Sequence, residues 1–197
     1  MKVDLSNTIV IVSGLPRSGT SMMMQMLNAG GIPSLTDGMR SPDDDNPKGY
    51  YELEAVKKTK QNSSWLADAA GCSVKVVHLL LRDLPLNRKY RIVFMKRHME
   101  EVLASQAAML ERRNETGSNL TPDRLAKAYQ QQLDKLDQWI SDQDCMEVLY
   151  VAYHDVMADP NAQAARINKF FGGHLDVDSM AAVTDAMLYR QRRSPSS

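Results

Sequence analysis

Only two cysteines occur in the 197 residues, Cys72 and Cys145, and they form no Cys-x-x-Cys unit. That excludes a disulfide scaffold and a thiolate metal centre, so both are expected reduced and buried. A chain of this length hides roughly 70% of its unfolded surface in one domain, so none is needed for folding. A surplus of either charge is also missing, because 24 basic residues balance 24 acidic ones. Broad binding to nucleic acid or to a membrane surface favours a basic excess, so neither is an expected partner. Long hydrophobic runs are absent. The apolar stretch in the opening MKVDLSNTIVIVSG is too short for a signal peptide or a membrane span. The cytoplasm is therefore the expected compartment. Repeats, low-complexity blocks and linkers are lacking too, which leaves a single domain over residues 1–197.

What is present alternates between two periods. Residues 8–13 (TIVIVS) form a short β-branched run, the mark of a buried parallel strand. A helix is predicted over 21–29, closed by Gly30 and Gly31. The stretch 34–49 is rich in Pro, Gly and Asp and reads as a loop, long enough to be a lid or substrate loop. Residues 51–61 read as helical, and 72–81 contain a second strand. A third strand at 90–95 leads into a helix at about 100–113. Thr121 and Pro122 start a long helix reaching about 141. A fourth strand occupies 147–152, Asp159 and Pro160 cap a helix ending near Gly172, and a last helix spans 178–190. The fold class is thus α/β, a P-loop-like parallel sheet of about four to five strands with helices on both faces. Ligands of such sheets bind beyond the carboxyl ends of the strands.

The first such end carries Gly14-Leu15-Pro16-Arg17-Ser18-Gly19-Thr20-Ser21. Two glycines allow a tight turn with inward N–H groups, and the following helix adds its positive dipole end. The product is an anion cradle. The lysine that an ATP-type loop places after its second glycine is missing. Thr20 stands there, and the cation is Arg17, inside the loop. A P-loop kinase using ATP and Mg²⁺, and a non-catalytic nucleotide-binding protein, stay open as alternatives at this point.

PRSGTS after an apolar strand resembles the phosphosulfate loop of the sulfotransferase family, where the loop cation precedes Ser-Gly-Thr. A second stretch strengthens the resemblance: Arg97 ends a strand, and Ser105 follows eight residues later, with Glu101 four before it. Met99 stands where family members often have proline. As isolated residues, Arg97 would end a strand in water and Ser105 would be incidental. Beside the glycine loop, a guanidinium and a hydroxyl converging there suit a second phosphate. A third stretch, Tyr153 to Pro160 followed by Ile167, Phe170, Phe171 and Gly172, matches more weakly and reads as structural. The Arg-Lys-Gly loop of many members is not found; Arg190, Arg192 and Arg193 are its candidate substitutes. The resemblance implies an enzyme that moves a sulfuryl group from 3′-phosphoadenosine 5′-phosphosulfate to a hydroxyl or amine of a small acceptor. It implies no metal. Pro16, Arg17, Ser18, Gly19, Thr20, Ser21, Arg97 and Ser105 are its expected nucleotide ligands.

Such a transfer needs a base for the acceptor's proton and positive charge near the leaving phosphate. Arg17 supplies the charge. Glu52, at the end of the long loop, is the first candidate base; its alternative is an acidic residue in a helix first turn. His78, in Lys75-Val76-Val77-His78, is the second, with a partly buried structural histidine as its alternative. Asp43, Asp44 and Asp45 read as a solvated turn. His98, His154 and His174 lack metal-ligand spacing. The methionines, including Met22, Met23, Met24 and Met26, read as core, with some free to line an acceptor pocket.

Overall fold

The computed structural model describes residues 5–39, 43, 46, 49–185, 187 and 189. β1 (Thr8–Gly14) is buried along its whole length, as a β-branched run inside a parallel sheet must be. It pairs in parallel with β2 (Ser73–Lys75) on one side and β3 (Lys89–Lys96) on the other, and β4 (Met146–Ala152) pairs in parallel with β3. The order β2-β1-β3-β4 gives a four-stranded α/β sheet. The chain leaves β1 toward β2 and later returns on the other side of β1 to form β3. The connections therefore diverge between β1 and β3, and a crevice opens at their carboxyl ends.

Six helices accompany the sheet among the described residues: α1 (Thr20–Ala29), α2 (Met99–Arg112), α3 (Pro122–Ser141), α4 (Tyr153–Ala158), α5 (Pro160–Phe170) and α6 (Val177–Ala182). Alternate residues of the strands split the core into two layers. Val10, Val12, Val93 and Val151 meet Met23, Met26, Leu27, Ile167, Phe171 and Met180 on the face covered by α1, α5 and α6. Ile9, Ile11, Ile92 and Phe94 meet Leu136 and Ile140 of α3 on the other face. There Trp65 and Leu81 arrive from short 3₁₀ turns at Ser64–Ala67 and His78–Asp83. Helices thus cover both faces of the sheet, as its continuous apolar strands require. No helix among the described residues is long and apolar enough to cross a membrane.

Two predicted helices are shorter than their patterns suggested. The segment 51–61 holds only a 3₁₀ turn, Glu54–Lys58. Tyr51 adopts φ 54°, which a helix cannot accommodate. The Glu52 carbonyl accepts from Thr36 Oγ1 at 2.8 Å, and Asp37 Oδ2 takes the Glu54 N–H at 2.6 Å. These tethers satisfy the backbone without helical bonds. The last helix stops at Ala182. Thr184 Oγ1 donates to the Ala181 carbonyl at 2.9 Å, a side-chain bond that competes with continuation. Arg190, Arg192 and Arg193 lie outside the described residues.

α5 begins where the sequence placed it, because Asp159 Oδ1 accepts from Ala162 N at 3.0 Å and Pro160 fills the first position. Asp159→Ala is expected to cost about 1 kcal/mol. Thermal melts should show Tm falling by roughly 2–4 °C for a domain of this size. An unchanged Tm would show that the cap contributes nothing.

Candidate active site

The glycine loop joins the end of β1 to α1, and two of its residues have no room for a side chain. A Cβ on Gly14 would lie 2.5 Å from Ser18 Oγ and 2.7 Å from the Met95 carbonyl oxygen. On Gly19, at φ 99°, it would lie 2.4 Å from Cδ2 of Tyr153. Gly19 is also the N-cap of α1 and offers its first-turn amides no side-chain acceptor. Uncapped amides at a helix N-terminus favour an anion. Between the glycines, Arg17 takes φ 71°, an uncommon conformation for a residue with a side chain. Its carbonyl accepts from Arg97 Nη1 at 3.1 Å, and its Nε donates to Ser105 Oγ at 3.0 Å. The two stretches singled out in the sequence thus meet through Arg17.

The alternative of a strand end in water does not hold for Arg97. Its side chain is 8% exposed and pairs with Glu101, 3% exposed, at 2.9 Å. Its guanidinium lies 4.5 Å from the ring centre of Tyr153 and 5.4 Å from that of Tyr189. Tyr189 donates to Oε1 of Glu101 at 2.8 Å, and its hydroxyl pKa is pushed up to about 12 by burial and by that carboxylate.

A cavity of about 470 Å³ runs over this floor. Its lining includes Pro16, Arg17, Gly19, Thr20, Ser21, Arg97, Ser105 and Glu52, all expected site residues. Ser18 is 1% exposed and is not among the lining residues; its hydroxyl is buried without a partner. Among the described residues, six basic side chains and two acidic ones line the walls. The described lining is thus net positive although the chain is neutral, and a concave, cationic site focuses field on an anion.

Lys75 supplies a cation that the loop sequence lacks. It stands at the carboxyl end of β2, with Nζ 3.2 Å from Ser21 Oγ and 2.8 Å from the Tyr50 carbonyl. The same ammonium is 3.8 Å from Oε1 of Glu52, whose side chain is about one-third exposed. Glu52 precedes the 3₁₀ turn at Glu54, so it is not a helix first-turn residue. Asn46 Nδ2 donates to Ser21 Oγ at 2.8 Å. Arg113 Nη2 donates to Asp43 at 2.9 Å and to the Tyr50 hydroxyl at 3.1 Å. Asp43 and Asn46, described residues of the long loop, are thus bonded to residues that line the cleft.

His78 is placed differently. It is 2% exposed, does not line the cavity, and has Nε2 3.1 Å from Gln132 Oε1. Burial holds its pKa below the ordinary value. His98 and His154 stack on each other with ring centres 4.7 Å apart, and His174 is exposed. Among the described residues no group of three or more His, Cys, Asp or Glu side chains could hold a metal ion. Met22 and Met109 line the cavity, while Met23, Met24 and Met26 are core.

Fold and site together define an α/β protein with a cationic cleft at the divergence of its parallel strands. The sequence model of the sulfotransferase family matches residues 44–176, and the chain belongs to that family. It is a transferase, and its family chemistry is sulfuryl transfer. The match begins after the glycine loop, so the loop is independent of it. Solved structures share the fold. A sulfotransferase of Mycobacterium tuberculosis is 18% identical over 90% of this chain and 70% of its own, with a TM-score of 0.59. The sulfotransferase domain of the Synechococcus PCC 7002 olefin synthase is 16% identical over 98% of this chain and 90% of its own, with a TM-score of 0.58. Retinol dehydratase, solved with androsterone and the inactive cofactor PAP, is 17% identical over 96% of this chain and 66% of its own, at 0.52. No curated protein sequence matches the chain.

Removing one member of a buried ion pair leaves the other charge uncompensated. Arg97→Ala is therefore expected to cost about 3–5 kcal/mol of stability, read by urea unfolding. A loss below about 1 kcal/mol would mean that the pair behaves as a surface one.

Proposed function

We propose that this protein transfers the sulfuryl group of 3′-phosphoadenosine 5′-phosphosulfate to a hydroxyl or amine of a small acceptor. The observation that carries this reading is that two cation-bearing stretches meet in one cleft. The loop with Arg17, Thr20 and Ser21 ends β1, and Arg97 with Ser105 follows β3, its neighbour in the sheet. A donor with phosphate at both the 5′ and 3′ positions spans such a pair, and the cationic walls suit its charge.

When bound, the donor supplies an activated sulfuryl group on a phosphate that leaves. The first-turn amides of α1 and the Arg17 guanidinium would hold that phosphate and offset its charge as it departs. Lys75 would add a second cation beside Ser21. Glu52 would take the proton from the acceptor, with the Lys75 ammonium fixing its carboxylate toward the loop. His78 remains the second candidate, but it would have to act from outside the cavity lining.

The expected result for Glu52→Gln is a fall in turnover of about 10²–10⁴-fold with donor affinity nearly unchanged, and a smaller effect for His78→Asn. A panel of hydroxyl and amine acceptors, assayed with labelled donor and a chelator present, measures both. Full activity in the Gln variant together with its loss in the Asn variant would move the base to His78. Absence of transfer by the wild-type protein across the panel would contradict the reading itself.

A further inference from the structure

The hydroxyl of Ser21 has one proton to give and two lone pairs that can accept. All three are engaged. It donates to the Tyr50 carbonyl at 3.4 Å, accepts from Asn46 Nδ2 at 2.8 Å and accepts from Lys75 Nζ at 3.2 Å. Asn46 and Tyr50 come from the segment that follows α1, and Lys75 from the end of β2. These partners are also joined to one another. Lys75 Nζ donates to the Tyr50 carbonyl at 2.8 Å, and Asn46 Nδ2 donates to the Gly49 carbonyl. Glu52 lies 3.8 Å from the same ammonium. One hydroxyl on the first turn of α1 is therefore a junction between the glycine loop and the side of the cleft that carries Glu52.

We infer that Ser21 is a positioning residue for the acceptor side of the cleft: its hydroxyl holds Lys75, and through it Glu52, in place against the glycine loop, and is not a ligand of the nucleotide. The inference rests on the function proposed above and divides the two hydroxyls that end the loop, Thr20 and Ser21, which both line the cavity. A phosphate oxygen only accepts, so a hydroxyl must give it a proton. Two N–H donors fix the lone pairs of Ser21, and its proton is left pointing at the Tyr50 carbonyl. The main-chain N–H of Ser21 still belongs to the first turn of α1, whose amides lack intrahelical acceptors. Without the hydroxyl, Asn46 and Lys75 lose the acceptor they share. Lys75 then keeps the Tyr50 carbonyl but loses its tie to α1, and Glu52 shifts relative to Arg17.

The full chain is tested in three ways. In calorimetric titration with adenosine 3′,5′-bisphosphate, Ser21→Ala is expected to stay within about twofold of the wild-type affinity, whereas Thr20→Val loses about tenfold or more. In amide hydrogen exchange without ligand, residues 49–56 are expected to exchange about two- to tenfold faster in Ser21→Ala, with β1 and β3 unchanged. With labelled donor and the fastest acceptor of the panel, Ser21→Ala is expected to lower kcat about ten- to a hundredfold, and Ser21→Thr, which keeps the hydroxyl, to restore it. A loss of bisphosphate affinity in Ser21→Ala equal to that in Thr20→Val would make Ser21 a ligand and overturn the inference. Unchanged exchange at 49–56, or an unchanged kcat, would overturn it too. A wild-type protein that binds no bisphosphate would instead remove the proposed function, a failure that the exchange result keeps separate from that of the inference.

Discussion

The guanidinium of Arg97 is the contact on which the other parts of the cleft depend. It projects from the carboxyl end of β3, pairs with Glu101 on α2 and holds the carbonyl of Arg17 in the glycine loop. Arg17 sits in a left-handed conformation that costs of order 1–3 kcal/mol and persists only where neighbours over-determine it. Arg97 is such a neighbour, together with the Ser105 hydroxyl that receives Arg17 Nε. A nearly buried ion pair is poor value as a source of stability, because desolvation offsets much of its attraction. Its use here is geometric: it fixes a strained loop and a cation relative to each other before any ligand arrives. Preorganisation of that kind is what electrostatic stabilisation of a leaving group requires.

The sheet topology explains why this is possible in a chain with no net charge. The connections diverge between β1 and β3, so the ends of adjacent strands deliver the glycine loop and Arg97 to one crevice, and β2 brings Lys75 beside the loop. Acidic partners sit behind or beside these cations: Glu101 behind Arg97, Glu52 next to Lys75. The arrangement holds the cations in place while leaving the cavity walls predominantly basic. It also puts a carboxylate within the same cleft, where an acceptor would have to lose a proton.

The parts of this design that were legible in the sequence are those set by local chemistry. The β-branched run of β1, the glycines at 14 and 19, the caps at Thr121 and Asp159, and the Arg97–Ser105 spacing all report their own backbone or their own helix face. The parts that were not legible arise from distant pairs. Lys75 meets Ser21 across 54 positions, and Tyr189 meets Glu101 across 88. Lys75 could have been found, because it ends a strand and strand ends are where such sheets bind ligands. Tyr189 carries no such signal; it lies in a stretch whose pattern suggested a continuing helix. The segment 51–61 misled for a related reason. Its composition suits a helix, but Thr36 and Asp37 bind its backbone from outside the window. Arg97 was legible as a strand end beside the loop, but its burial was not, since nothing local shows two tyrosines closing over it.

The proposed function requires an arginine loop, lacking the lysine of ATP-type loops, to form one half of a metal-independent site for a doubly phosphorylated nucleotide. Thermal unfolding with adenosine 3′,5′-bisphosphate in chelator, against ATP with Mg²⁺, tests it most directly. A ligand at a hundred times its Kd adds about 2.7 kcal/mol. For a domain of this size that raises Tm by roughly 5–10 °C. Such a rise is expected with the bisphosphate in chelator and little with ATP and Mg²⁺; a rise with ATP and Mg²⁺ alone would contradict the proposed function.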